Sequence, residues 1–374
     1  MKKRLLFLVL GVVLFLFLPF SVTIYAKEET LPTPESYVEI VADALPDDVK
    51  SKLPDGNDYE EMAQNADTSF LLSLSVSFLK QSLYSVYSYL AFFLAALLLG
   101  SLAERVEDAF GNRENSLASF IALLLIAFEA FTIVYSLFEE VAEYCKRVNA
   151  YMLTFTAVMG SVHLLGGGVM QSTKSGMALS VTVSLLGSLC SILLLPIIRI
   201  SFASALTSIA SKKINLSSLS AFVRGLFTFL IGLIATVSIV AITFQTMLAQ
   251  AEDTLAARSI RFAASSSIPI VGNAVGDSVR TLGAAVAVIQ KSVGTIGVVG
   301  LVIMTLHPLS VLFSAKISLA LSKTVAALLD VKSAESLLGE ISHLINMLMA
   351  TVSVQAILYI FVTALFTSSA VPIA

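Results

Sequence analysis

The chain has 374 residues, of which 57% are hydrophobic and 13% charged, with a mean hydropathy of +0.89; soluble domains average near a quarter charged, so a water-soluble globular fold is excluded. A formal net charge of −3 and no stripe of clustered Lys and Arg exclude a nucleic-acid-binding protein, which must face phosphates with cations. The two cysteines, Cys145 and Cys190, form neither a C-x-x-C pair nor a disulfide framework, and read as small apolar residues.

In chain order, Lys2, Lys3 and Arg4 precede an apolar run from Leu5 to Phe20, and Ser21 to Ala26 offers a cleavage region. This is the pattern of an export signal over residues 1–26. Ile24 is larger than the residue preferred before such a site, so retention as an anchor stays open. Residues 27–80 follow as an acidic extracytoplasmic segment. Up to Asp67 it carries twelve acids, Glu28 through Asp67, against Lys27, Lys50 and Lys52, and few basic residues are there to hold it inside. Pro32, Pro34, Pro46 and Pro54 cut it into short pieces, so a small docking segment or partly disordered arm is expected.

Residues 81–374 read as an all-α polytopic membrane domain. The expected spans are Leu83–Ala103, Leu117–Phe138, Met177–Ile198, Gly225–Leu248, Val286–Leu306 and Leu344–Phe366, each near the ~20 residues needed to cross hydrocarbon. A seventh run, Ala150–Val169, is ambiguous. If it spans, the acid-free stretch from Arg199 to Arg224, with Lys212 and Lys213, falls outside, against the positive-inside tendency. If it re-enters, turning at Gly166, Gly167 and Gly168, that stretch is cytoplasmic, and six crossings plus a re-entrant element is the expected arrangement.

A threefold parallel internal repeat is a further expectation. Pro196 closes one apolar run before a run holding Thr236-Val237-Ser238-Ile239, and Pro308 closes another before Thr351-Val352-Ser353-Val354. Shared polytopic composition is the plainer account of the same likeness. After Pro308, Leu312, Ala315, Leu319, Ala326 and Leu329 recur at helical spacing opposite Lys316, Lys323 and Asp330, which predicts an amphipathic helix along the cytoplasmic interface. Such a helix braces neighbouring spans or binds a partner.

No catalytic constellation is present. His163, His307 and His343 stand in no metal-ligand spacing, and no H-E-x-x-H, G-x-S-x-G or P-loop occurs. An enzyme is therefore not expected, and no cofactor is called for. Glu129, near the middle of an expected span, is costly there unless paired or wetted; it either locks helices together or lines a path. Gly294, Gly297, Gly300 and the G-x-x-x-G of Gly272 and Gly276 allow close helix packing, with hinges or constrictions the alternative.

The strip Ser267-Ile268-Pro269-Ile270-Val271-Gly272-Asn273-Ala274-Val275-Gly276-Asp277-Ser278-Val279 is unusual for a span. Pro269, Gly272 and Gly276 punctuate an apolar stretch that ends in the acid Asp277, which predicts a bent or half-membrane element. At these residues the chain resembles the stage III sporulation protein AE family of endospore-forming bacteria. The export signal, acidic segment and polytopic remainder extend the resemblance over nearly the whole chain. It implies a non-enzymatic membrane component of the channel complex joining mother cell and forespore, in the mother cell membrane around the forespore. It implies as partners the other membrane proteins of the stage III sporulation A operon, including a secretion-type ATPase and ring-forming subunits, and indirectly stage II sporulation protein Q. Membrane lipid surrounds such a subunit, and self-association is open. The alternative is a stand-alone secondary transporter or ion-coupled permease whose broken segments at Gly166–Gly168 and Ile268–Gly276 hold a solute.

Overall fold

A computed structural model describes residues 34–54, 61, 65, 67–109, 117–165, 176–210, 217–267 and 272–368. Among them every regular element is a helix. In order they are α1 (Pro34–Asp43), α2 (Asp47–Lys50), α3 (Thr68–Ala109), α4 (Leu117–Leu165), α5 (Gly176–Leu189), a π segment (Cys190–Leu194), α6 (Leu195–Ala210), α7 (Ser217–Ser267), α8 (Gly272–Leu328) and α9 (Lys332–Ser368). In apolar surroundings a chain must satisfy its own backbone groups, which long helices do internally.

Five stretches are long and apolar enough to cross a membrane: Ser69–Leu102, Leu179–Ser204, Leu219–Met247, Val286–Leu328 and Lys332–Ser368. They contain or overlap five of the six expected spans. The remaining one, Leu117–Phe138, is the first part of α4, which runs on through the charged stretch from Glu139 to Arg147 to Leu165. The expected turn at Gly166, Gly167 and Gly168 lies outside the described residues.

Two prolines do not end helices as expected. Pro308 sits inside α8, a helix of 57 residues, ~85 Å long at ~1.5 Å per residue. The interfacial helix expected after it is the second half of α8. The amphipathic pattern holds, since Leu312, Ala315, Leu319 and Ala326 are buried while Lys323 is exposed. A proline in a helix loses one backbone hydrogen bond; here Thr305, Ser310 and Leu312 are buried on either side of it, and that packing carries the helix through. Pro196 stands just after the π segment and in the first turn of α6. The wider π turn makes room upstream of a ring that would clash with a regular helix.

α8 and α9 form an antiparallel hairpin turning at Asp330, whose φ is 60°. Along it Gln290 Nε2 donates to the Phe366 carbonyl at 2.5 Å, and Lys323 reaches Gly339. α3 packs along α8 over serines spaced by four, Ser310, Ser314, Ser318 and Ser322, all buried. Ser82 Oγ donates to Ser310 Oγ at 2.9 Å, and Ser318 Oγ donates to the Val86 carbonyl at 3.2 Å. Small hydroxyl side chains at this spacing let two backbones approach and bond across the gap. α3 is capped by Asp67, whose carboxylate accepts the Phe70 N–H at 2.7 Å. That bond and the Ser69 hydroxyl hold the Asp67 carboxyl below its ordinary range. Its contribution to stability is complete above the ordinary carboxylate range and is lost as pH falls through the lowered value.

Candidate functional site

The acidic arm is folded onto the bundle. α1 and α2 lie on α8, and α1 also touches α4, with Tyr37, Val38, Val41, Leu45 and Val49 buried. Around this contact Asp48 pairs with Arg147 at 3.6 Å, Arg147 with Glu143 at 3.2 Å, and Glu140 with His307 at 3.5 Å. Lys52 stands 4.2 Å over the Phe78 ring. A cleft of about 50 Å³, lined by Asp48, Lys52, Phe78, Glu140, Tyr144 and His307 among others, marks the seam. The ion pairs are largely exposed and each contributes at most ~1 kcal/mol; the buried side chains contribute ~1.5–3 kcal/mol apiece and hold the arm. The signal for this docking was the spacing of Tyr37, Val38, Val41 and Ala42 along one face of α1, with Leu45 just beyond its end. Replacing Val41 with Asp is expected to free the arm, read as rapid protease cleavage between residues 34 and 54 while the helical bundle stays intact. A cleavage rate equal to that of the native chain would show that the arm is not held here.

Deeper in the bundle, polar groups meet where α4, α5, α8 and α9 converge. Tyr359 O–H donates to Asn149 Oδ1 at 3.0 Å, lies 3.2 Å from the Val183 carbonyl and accepts from Gln355 Nε2 at 3.4 Å. Gly187 packs directly on the Asn149 side chain, because a Cβ there would meet it at 2.5 Å. The π segment begins three residues on from Gly187. Earlier on α4, Tyr144 O–H donates to Thr305 Oγ1 at 3.2 Å, while Thr305 donates to the Leu301 carbonyl. Gln355 Oε1 and Tyr151 O–H are buried with no hydrogen-bond partner among the described residues. None of these neutral groups makes a metal centre, and no group of three or more His, Cys, Asp or Glu side chains placed to hold a metal ion is found among the described residues. Cys145 and Cys190 are both buried and unbonded.

Of the sequence-predicted site residues, Glu129 is half-buried on α4, at the interface with α3 and near Tyr89. Pro269 lies outside the described residues. Gly272, Gly276 and Asp277 form the first turns of α8, after α7 has ended at Ser267. The structure therefore does not bring Glu129 together with the Gly272–Asp277 stretch in one described site. An intramembrane carboxylate on the lipid face costs ~2.5–3.5 kcal/mol on insertion scales. Glu129→Leu is expected to insert and accumulate normally yet lose function in a sporulation assay; full function from that variant would remove any role for the carboxylate.

The model of the stage III sporulation protein AE family matches residues 57–370, and the chain belongs to that family. No curated protein and no solved structure matches it. The docked arm, residues 34–54, precedes the matched stretch.

Proposed function

We propose that this member of the stage III sporulation protein AE family is a non-enzymatic subunit of a transenvelope channel or export apparatus connecting mother cell and forespore, required for late forespore development. The family match over residues 57–370, on a bundle with five helices apolar enough to cross a membrane, carries this reading. The sequence has no nucleotide-binding motif, so energy comes from a partner. The partners in this reading are the other stage III sporulation A operon membrane proteins, among them a secretion-type ATPase and ring-forming subunits, and indirectly stage II sporulation protein Q. The protein resides in the mother cell membrane surrounding the forespore. The docked arm supports the reading by leaving the acids Glu39, Asp43 and Asp47 exposed on the bundle. Six crossings, re-entrant turns at Gly166–Gly168 and Pro269, and a threefold parallel repeat complete it.

Solubilisation from sporulating cells tests it. Stable co-purification of the operon's membrane proteins is the expected result. Solute-dependent uptake by the purified chain alone in liposomes, with no co-purifying subunit, overturns it in favour of a stand-alone secondary transporter. That second reading draws on the π segment beside the half-buried Asn149 and the buried Gln355 and Tyr359, since π turns recur at functional sites.

A further inference from the structure

At the height where α8 and α9 meet through Lys323 and Gly339, the bundle is coated with large apolar side chains. Ser318 bonds to Val86 of α3, which sets Tyr87 and Phe92 at this height, both exposed. Tyr144 of α4 meets Thr305, and α4 runs antiparallel to α8, so the exposed Phe128 and Phe131 fall roughly level with Ser318 to Leu321 at ~1.5 Å per residue. Phe222, exposed beside Arg224 of α7, joins them through the Arg224–Glu340 pair to α9. This is the coat expected of a surface in hydrocarbon.

One face breaks that coat. From Ser333 to Ser353, ~30 Å of helix, the exposed positions of α9 are Ser333, Ser336, His343 and Asn346, with Gly339, Ala350 and Ser353 half-buried in the same row. No large apolar side chain is exposed over this stretch; Met349 is half-buried at its edge, and the row ends at the exposed Ile357. Lys323 crosses to Gly339 within the row, and Lys316 stands two turns earlier on the same face of α8. Neither lysine, nor His343 or Asn346, has an ion-pair or hydrogen-bond partner among the described residues. A cationic or amide side chain on lipid costs kilocalories and is compensated by water or by a partner charge.

We infer that this α8–α9 seam borders an aqueous path through the membrane, with Lys316 and Lys323 making the path favour anionic solutes. The seam lies on the outside of one bundle, so a further subunit closes the path. The inference deepens the channel reading and rests on it for its biological setting. Its support is exposure and helix register, so it can fail while the operon partners still co-purify, and it can hold for a transporter.

Cysteine accessibility in membrane vesicles tests it, in a chain with Cys145→Ala and Cys190→Ala. Ser336→Cys and Asn346→Cys are expected to label with impermeant methanethiosulfonates, while Phe131→Cys and Leu321→Cys stay unlabelled. Normalised to reaction with a free thiol, the anionic ethylsulfonate reagent should modify Asn346→Cys about tenfold faster than the cationic trimethylammonium reagent, since a charged cleft concentrates counter-ions by at least that order. Lys316→Glu together with Lys323→Glu should abolish or invert that preference. Seam cysteines as inert as the coat cysteines overturn the path; equal rates for the two reagents overturn its selectivity.

Discussion

Gly297→Val is expected to lower the stability of the detergent-solubilised protein by about 1–3 kcal/mol through overpacking. A Cβ at Gly297 would stand 2.5 Å from Cε2 of the Phe155 ring. Phe155 is wholly buried on α4, so the ring has nowhere to move without parting α4 from α8. Gly294 and Gly300 repeat the contact a turn to either side, against Thr367 of α9 and against Leu45 of the arm with Tyr151. Gly232 is the control, because a Cβ there meets nothing within 4 Å. Gly232→Ala should stabilise α7 by about 0.5–1 kcal/mol, since glycine in a helix interior carries that entropic cost relative to alanine. Thermal unfolding of the two variants side by side gives the comparison. Equal stabilities would show that α4 and α8 do not approach at Gly297.

The second large effect belongs to the Arg224–Glu340 pair. Arg224 Nη1 donates to Glu340 Oε2 at 2.6 Å, and Ser220 Oγ donates to the same oxygen at 2.7 Å. The two side chains are 29% and 26% exposed, so they are partly desolvated and each depends on the other. Hydrogen bonds to charged groups contribute about 1.5–3 kcal/mol, and removing one partner leaves the other charge unmet. Glu340→Gln should therefore destabilise the fold by about that amount, and Arg224→Gln similarly. The double variant should lose much less than the sum, because neither charge is then stranded. Additive losses in that thermodynamic cycle would show that the pair does not couple α7 to α9.

The two cases show different degrees of legibility. Gly294, Gly297 and Gly300 were legible as close-packing positions, because a missing side chain at three-residue spacing has few other uses. Their contacts were not, since Phe155 and Thr367 lie far away in sequence. Arg224 was legible only as a basic residue ending an acid-free stretch; that Glu340, on another helix, neutralises it depends on how α7 leans on α9. The serines of α8 at four-residue spacing gained their meaning only from α3, which the fold sets against them.

What the sequence by itself determined is what one-dimensional chemistry fixes. A composition this apolar demands helices that close their own backbone hydrogen bonds, periodicity assigned the buried face of α8 at Leu312, Ala315, Leu319 and Ala326, and the Ile268–Asp277 strip pointed to the family. The tertiary structure decided where helices end and what they meet. Pro308 is a local signal for a break, worth about 3 kcal/mol, and the packing on both sides of it keeps α8 continuous. The charged stretch from Glu139 to Arg147 ends an apolar run but is built mostly of good helix formers, so α4 carries on through it. The proline-rich acidic arm carried only a short apolar spacing as a local reason to be ordered; it folds because α4 and α8 offer a surface on which Tyr37, Val41 and Leu45 leave water.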